Sequence, residues 1–147
     1  MAVPSLSAAR TVCELRNWSI TNLELQKILY IAQMAHLGDT ESPLVDEAFQ
    51  AWDFGPVLPR VYSRASAFGN GAVRNVFNWE RPVEQNTSEY ATLQQAAKAT
   101  EGLSAGKLVS ITHWEKGAWA KCYKPGVRGI VIPNALILDE FNARQAA

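Results

Sequence analysis

The stretch FQAWDFGPVLPRVYSRASAF, Phe49 to Phe68, decides how the rest of the chain is arranged. It opens as a short extended apolar segment and breaks at the turn pair Gly55-Pro56. It resumes as a helix whose apolar positions Val57, Leu58, Val61, Tyr62, Ala65 and Phe68 follow the 3.6-residue period. Pro56 is expected at or near the first helical position, where its missing N–H costs nothing. Trp52 and Phe54 are expected to form the surface on which other helices pack. No side chain in the stretch is a reactive group.

Upstream, Thr21-x-x-Glu24 reads as a capping box, in which the Thr hydroxyl accepts the N–H three residues on and Glu24 reaches back. It opens the strongest helix, Asn22 to Leu37, with Gly38 predicted as a left-handed cap. One face carries Leu25, Ile28, Leu29, Ala32 and Ala35, the other Leu23, Tyr30, Ile31 and Met34. A helix apolar on two sides belongs at the centre of its domain. Ser5 to Trp18 reads as a helix before it.

Downstream, Gly69-Asn70-Gly71 is a stop, and Val73 to Val83 is a short edge strand or an irregular arm. Thr87 or Ser88 caps a helix to about Ala99, and Ser104 caps another through Leu108, Val109 and Ile111. The helix breaks over Thr112 to Trp119. Gly129 to Ile132 is a strand candidate that could pair with Phe49 to Trp52. Pro133 opens a last helix through Leu136, Ile137 and Phe141. The predicted fold is mainly α: a single compact helical domain over 1–147, with about five to seven helices and at most a small β pair.

Composition narrows the function classes. A chain of 147 residues can bury a real core, and 48% apolar with 19% charged residues reads as globular rather than disordered. The 14 basic and 14 acidic side chains cancel, which leaves no net field to hold a phosphate backbone. No apolar run reaches the roughly 18 residues of a membrane span, and the N-terminus lacks the apolar region of a secretory signal. Cys13 and Cys122 stand far apart with no CxxC. Reduced thiols in a cytosolic protein are the expectation, with a disulfide or zinc pair as the alternative.

The search for chemistry finds little. His36 falls in the last turn of the long helix, where it can bond the final carbonyls. His113 falls in a helix break beside Trp114, where it caps or buttresses a turn or makes a functional contact. Neither has a second ligand three or four residues away, so no metal is expected. Asp46-Glu47 reads as a solvated turn. GxSxG, P-loop and GxGxxG patterns are missing, and no cofactor is implied. The first two helices and their turn outline a helix-turn-helix, but a second helix apolar on both sides reads a DNA groove poorly. Arg60 and Arg64 form an i, i+4 basic stripe, followed by Arg74 and Arg81. This is a solvated face, or a docking stripe for an acidic partner or RNA. Trp79, Trp114 and Trp119 sit near helix breaks, where tryptophans mark interfaces. The candidate partner-binding set is therefore Arg60, Arg64, Arg74, Trp79, Arg81 and Trp114.

Three blocks in order resemble a known family: LQKILYIAQMAHL (Leu25 to Leu37), FQAWDFGPVLPRVY (Phe49 to Tyr62) and LVSITHWEKGAWAK (Leu108 to Lys121). They are similar to the Panacea domain, the SocA-like antitoxin family also described as phage-associated GepA-like proteins. The matching positions are Leu25, Gln26, Lys27, Leu29 and Tyr30, then Ala51, Trp52, Gly55, Pro56, Val57 and Tyr62, then Thr112, His113 and Trp119. Asp53-Phe54 stands where the family pattern has Lys or Arg and Tyr, and Gly117-Ala118 stands where it has Ser-Pro.

The resemblance implies a non-enzymatic antitoxin that neutralises a co-encoded protein toxin by direct binding, either covering its active surface or handing it to a protease. The motif residues would build the scaffold, and the specific contacts would lie on other faces. The implied setting is a bacterial or prophage-encoded, cytoplasmic toxin–antitoxin system of the kind used in phage defence. The implied partners are the cognate toxin, a second copy of the chain, and a protease or chaperone, with no membrane. The alternatives are a nucleic-acid-binding regulator of its own operon and a small hydrolase using His113 with Asp53 or Glu115.

Overall fold

The computed structural model describes residues 1–146. Among them the chain forms seven α-helices and one two-stranded antiparallel sheet, so the fold is mainly α. The helices are α1 (Ser5–Leu15), α2 (Asn22–Thr40), α3 (Pro59–Ala65), α4 (Ser88–Ala99), α5 (Ala105–Thr112), α6 (Ala118–Cys122) and α7 (Asn134–Ala146). The strands are β1 (Gln50–Trp52) and β2 (Gly55–Val57), and a 3-10 turn, Ser66–Phe68, extends α3. No helix among the described residues is long and apolar enough to cross a membrane.

α2 is the centre, packed against α1, α3, α4, α5, α7 and β2. Its capping box forms as the sequence predicts: Thr21 Oγ1 accepts from the Glu24 N–H at 3.2 Å, and Glu24 Oε1 from the Thr21 N–H at 2.9 Å. Leu25, Ile28, Leu29 and Ala32 on the first face are wholly buried; on the second, Tyr30 and Met34 are buried while Leu23 and Ile31 are half-buried, so the helix is covered on both sides but less completely on the second.

The end of α2 differs from expectation. The helix runs through Gly38 to Thr40, and Glu41 takes the left-handed cap at φ 58°. Gly38 is needed for packing: a Cβ there would stand 2.4 Å from the ring of Phe141 on α7. α1 likewise stops at Leu15, short of Trp18, because Asn17 and Trp18 turn left-handed at φ 55° and 57°. The Trp18 N–H then closes on the Cys13 carbonyl at 2.8 Å.

The opening stretch folds as a hairpin followed by a helix. Asp53 and Phe54 make a two-residue turn, with Trp52 opposite Gly55 and Ala51 opposite Pro56. Pro56 therefore lies in β2, and Pro59 takes the first position of α3. Its place in β2 suits its chemistry: Ala51 turns its N–H away from β2 to the Ile130 carbonyl at 2.9 Å, so Pro56 owes no N–H to the ladder. The expected pairing with Gly129 to Ile132 is present, with Gln50 opposite Val131 and the Ile132 N–H bonded to the Phe49 carbonyl at 2.8 Å.

Between Phe68 and α4 the chain is an irregular arm. Val73, Phe77 and Val83 fix it to the core as buried anchors. The Thr11 hydroxyl accepts the Val83 N–H at 2.9 Å, and Arg10 donates to the Glu80 carbonyl at 2.7 Å. The caps at Thr87 and Ser104 form as predicted, accepting from the N–H groups of Tyr90 and Lys107. Asp46 and Glu47 lie in a bend, Asp46 exposed and Glu47 half-buried, and both also bond the starts of helices. Asp46 accepts the Ser5 N–H at the start of α1, and Glu47 bridges the Ser5 hydroxyl and the Arg60 N–H near the start of α3. Each carboxylate sits where a helix leaves N–H groups unpaired.

Candidate functional site

The residues of the three sequence blocks converge around a row of buried polar side chains on α2. Gln26 Oε1 accepts the Leu58 N–H at 2.8 Å and so holds the entry to α3, while Gln26 Nε2 donates to Asn22 at 3.0 Å. Lys27 Nζ donates to the Pro56 carbonyl at 3.2 Å. The Tyr30 hydroxyl donates to Glu140 on α7 at 2.6 Å, and its ring meets Phe49 edge-on at 5.3 Å. Gln33 accepts from the Leu44 and Val45 N–H groups and donates to Asn134. His36 Nδ1 meets the Ser42 carbonyl at 2.8 Å, and Nε2 lies 3.6 Å from Glu89. One helix thus supplies hydrogen-bond partners to loops and elements that would otherwise bury unpaired backbone groups.

Beneath the hairpin, Lys27 and His113 meet under Gly55. A Cβ on Gly55 would stand 2.9 Å from Lys27 Nζ and 3.1 Å from His113 Nε2, and the residue holds φ at +114°, so both space and backbone demand glycine. Burial pulls the Lys27 ammonium down to about 7. Burial also lowers the His113 pKa, against the pull of the Phe54 carbonyl, and the nearby Lys27 charge lowers it further. His113 Nε2 is buried without a hydrogen-bond partner.

The imidazole buttresses an aromatic stack. Its ring lies 3.9 Å from that of Trp119 at 10°, and Trp119 lies 4.6 Å from Tyr123 at 16°. Trp119 Nε1 donates to the Trp52 carbonyl at 2.7 Å, and the Tyr123 hydroxyl donates to Asp53. The acids that a catalytic His113 would use do not pair with it: Asp53 is taken by Tyr123, and Glu115 is exposed and forms no ion pair. Among the described residues no group of three His, Cys, Asp or Glu side chains is placed to hold a metal. These contacts tie β1, the hairpin turn, α2 and α6 together.

The chain's sequence matches the profile of the family described as antitoxin SocA-like, Panacea domain, over residues 25–120. The protein belongs to that family. It is also 32% identical over 143 residues to antitoxin SocA of Caulobacter vibrioides (strain NA1000 / CB15N), an alignment covering 87% of this chain and 75% of the relative. No solved structure matches the chain. Membership supports an antitoxin role.

Within this Panacea domain the motif positions divide in two. Leu25, Gln26, Lys27, Tyr30, Gly55, Pro56, Val57 and Thr112 are buried. Trp52 and Phe54, expected to be the packing surface for other helices, are not in the core: Trp52 is half-buried and Phe54 is 70% exposed. The reason is the hairpin, whose two-residue turn carries both side chains to its tip. Trp52 meets Tyr62 at 4.9 Å, and together they wall a groove of about 810 Å³ whose other bank is the loop Val127 to Gly129. Trp52→Ala is therefore expected to cost roughly 1–2 kcal/mol in urea denaturation, below the 3–5 kcal/mol of a core aromatic. A loss near 4 kcal/mol would return Trp52 to the core.

Among the candidate contact residues, α3 and the arm come together: Arg64 donates to the Val76 carbonyl at 3.2 Å. Arg60, Arg74 and Arg81 are exposed beside them, and Trp79 is 88% exposed. Trp114 is placed elsewhere, under the guanidinium of Arg144 at 4.6 Å. α2 is too deeply buried to serve as the recognition helix of the helix-turn-helix outline.

Sequence reasoning missed Glu140, Arg144 and Gln33. Gln26, Tyr30 and Gln33 were detectable as polar groups at helical spacing in an otherwise apolar helix. Glu140 and Arg144 carried only the i, i+4 charge spacing common on helix surfaces.

Proposed function

We propose that this protein is the antitoxin of a toxin–antitoxin pair and neutralises a co-encoded protein toxin by binding it directly. The supporting observation is Trp79. Its ring is 88% exposed on an arm whose neighbours Phe77 and Val83 are buried anchors. Arg74 and Arg81 flank it, and the Arg60/Arg64 stripe lies alongside. An exposed tryptophan on an anchored arm, with Arg74 and Arg81 near it in sequence, has the composition of an interface hot spot, because its large ring can bury much area on binding. The basic flank suits an acidic surface on the toxin.

The test is co-expression with the adjacent gene, followed by titration of the purified pair. Wild type should restore growth and bind. Trp79→Ala should keep its melting temperature and weaken binding about 30-fold or more. Charge reversal at Arg60 and Arg64 should weaken binding in a salt-sensitive way. Failure of wild type to rescue growth or bind the neighbouring product would sink the antitoxin reading. Wild-type affinity in Trp79→Ala would move the contact off the arm.

A further inference from the structure

The groove beside the hairpin touches the arm only at its first residues, Gly69 and Asn70; Tyr62 on α3 lines the groove while Arg64 bonds the arm farther on, at the Val76 carbonyl. Its walls are largely apolar and include Trp52, Phe54, Tyr62 and Val127, with Phe54 70% and Val127 48% exposed. Its volume, about 810 Å³, is far more than one side chain fills.

Two features say what would occupy it. The first is an open backbone position at Val131, two residues along the chain from Gly129, where the groove's lining ends. Ile130 and Ile132 use their carbonyl and N–H on β1, with Gln50 opposite Val131. That register makes Gln50 and Val131 the non-hydrogen-bonded pair, so the Val131 N–H and carbonyl point away from β1. Neither finds a partner among the described residues, and Val131 is 49% exposed. An extended chain lying there can exchange both bonds with Val131, as a strand added to a sheet edge does. Gly129 at φ +76° and Pro133 bracket the position, so the opening admits one bonded pair rather than a long strand.

The second is charge. The loop that banks the groove carries Lys124 and Arg128 and no acid from Tyr123 to Gly129. On the other bank Asp53, hydrogen-bonded by the Tyr123 hydroxyl, is the one acid among the residues lining the groove, so the two loop cations leave a basic excess of one. The complement is an apolar segment flanked by acidic residues.

We infer that the groove and the outward face of Val131 receive an extended, acid-flanked apolar segment of the toxin. This rests on the antitoxin reading and adds a second contact beyond the arm. The segment pairs its backbone with Val131, places apolar side chains against Trp52 and Val127, and sets its acids against Lys124 and Arg128.

The experiment is isothermal titration of the adjacent gene's product into the full chain, with amide exchange read at Val131. Val131→Pro removes the outward N–H, which has no internal partner, so the variant should melt with wild type. It should bind at least 10-fold more weakly, whereas Val131→Ala, with its backbone intact, should stay within about threefold. Arg128→Glu should also weaken binding, and the Val131 amide should slow in exchange in the wild-type complex. Wild-type affinity in Val131→Pro, or an unprotected Val131 amide, overturns the inference and leaves the antitoxin reading standing. No binding by wild type overturns both. A self-associated form in sedimentation velocity that Val131→Pro dissolves would assign the groove to a second copy of the chain and overturn the inference.

Discussion

Glu140→Ala is expected to destabilise the protein by about 3–5 kcal/mol. Glu140 is 1% exposed on α7 and joins three elements. Its Oε1 accepts from the Tyr30 hydroxyl on α2 at 2.6 Å and from the Ala118 N–H at the start of α6 at 3.0 Å. Its Oε2 accepts from Arg144 Nε at 2.9 Å and Nη2 at 2.7 Å. Arg144, with its side chain 28% exposed, can turn to solvent when the carboxylate is lost. The Tyr30 hydroxyl and the Ala118 N–H cannot, and each buried orphan costs about 1–3 kcal/mol. Burial, reinforced by the Glu140 charge, raises the Tyr30 pKa, so the phenol stays protonated and donating.

Urea denaturation of Tyr30→Phe, Glu140→Ala and the double variant separates the pair from its surroundings. Tyr30→Phe should cost about 1 kcal/mol, since Glu140 keeps its other donors, and the coupling energy should be about 1–3 kcal/mol. A Glu140→Ala loss below about 1 kcal/mol would mean that the carboxylate is solvated and the network is not structural. Gly117 belongs to the same network: a Cβ there would stand 2.9 Å from Glu140 Oε1, so the close approach of the carboxylate needs glycine.

The second large effect is a dependence of stability on pH that one lysine carries. Lys27 titrates at about 7 in the fold, against an ordinary value near 10.4 when unfolded. Between those values the unfolded chain holds the proton that the folded chain has lost. Stability from this group therefore rises with pH from about 7 to about 10.4, and its cost is fully present below pH 7. The full difference is on the order of 4 kcal/mol. Lys27→Met should be more stable than wild type at pH 6 by a few kcal/mol, less the lost bond to the Pro56 carbonyl, and the two should converge as pH rises towards 10. Chemical denaturation of both proteins across pH 6 to 10 reads this directly. A stability difference that does not change with pH would show that Lys27 keeps its ordinary pKa.

Much of the architecture was legible because it depends on neighbours in sequence. The capping box at Thr21, the caps at Thr87 and Ser104, and the two-sided apolar pattern of α2 each involve residues a few positions apart. The pairing of Gly129 to Ile132 with Phe49 to Trp52 spans 81 positions at Gln50 and Val131, yet it was legible because a short β-branched run needs a partner strand. The helix boundaries were less legible. Gly38 looks like a stop in sequence, and only the ring of Phe141, 103 positions away, shows that it is a contact. Pro56 looks like a helix start, and only the hairpin register reveals it as a strand residue.

The candidate site divides in the same way. Read as sequence, the chain already shows a helical protein organised on α2, the Panacea blocks in order, and no recognisable catalytic motif. The tertiary structure alone decided which of those residues face solvent and which are paired inside. It brought Trp52 and Phe54 out to the hairpin tip, buried Lys27 beneath Gly55, joined Tyr30 to Glu140, and opened a groove beside the hairpin. The physical reason is range. Caps and periodicity are set by bonds and sterics within one or two helical turns, whereas burial, pairing and pKa depend on what the rest of the chain brings alongside.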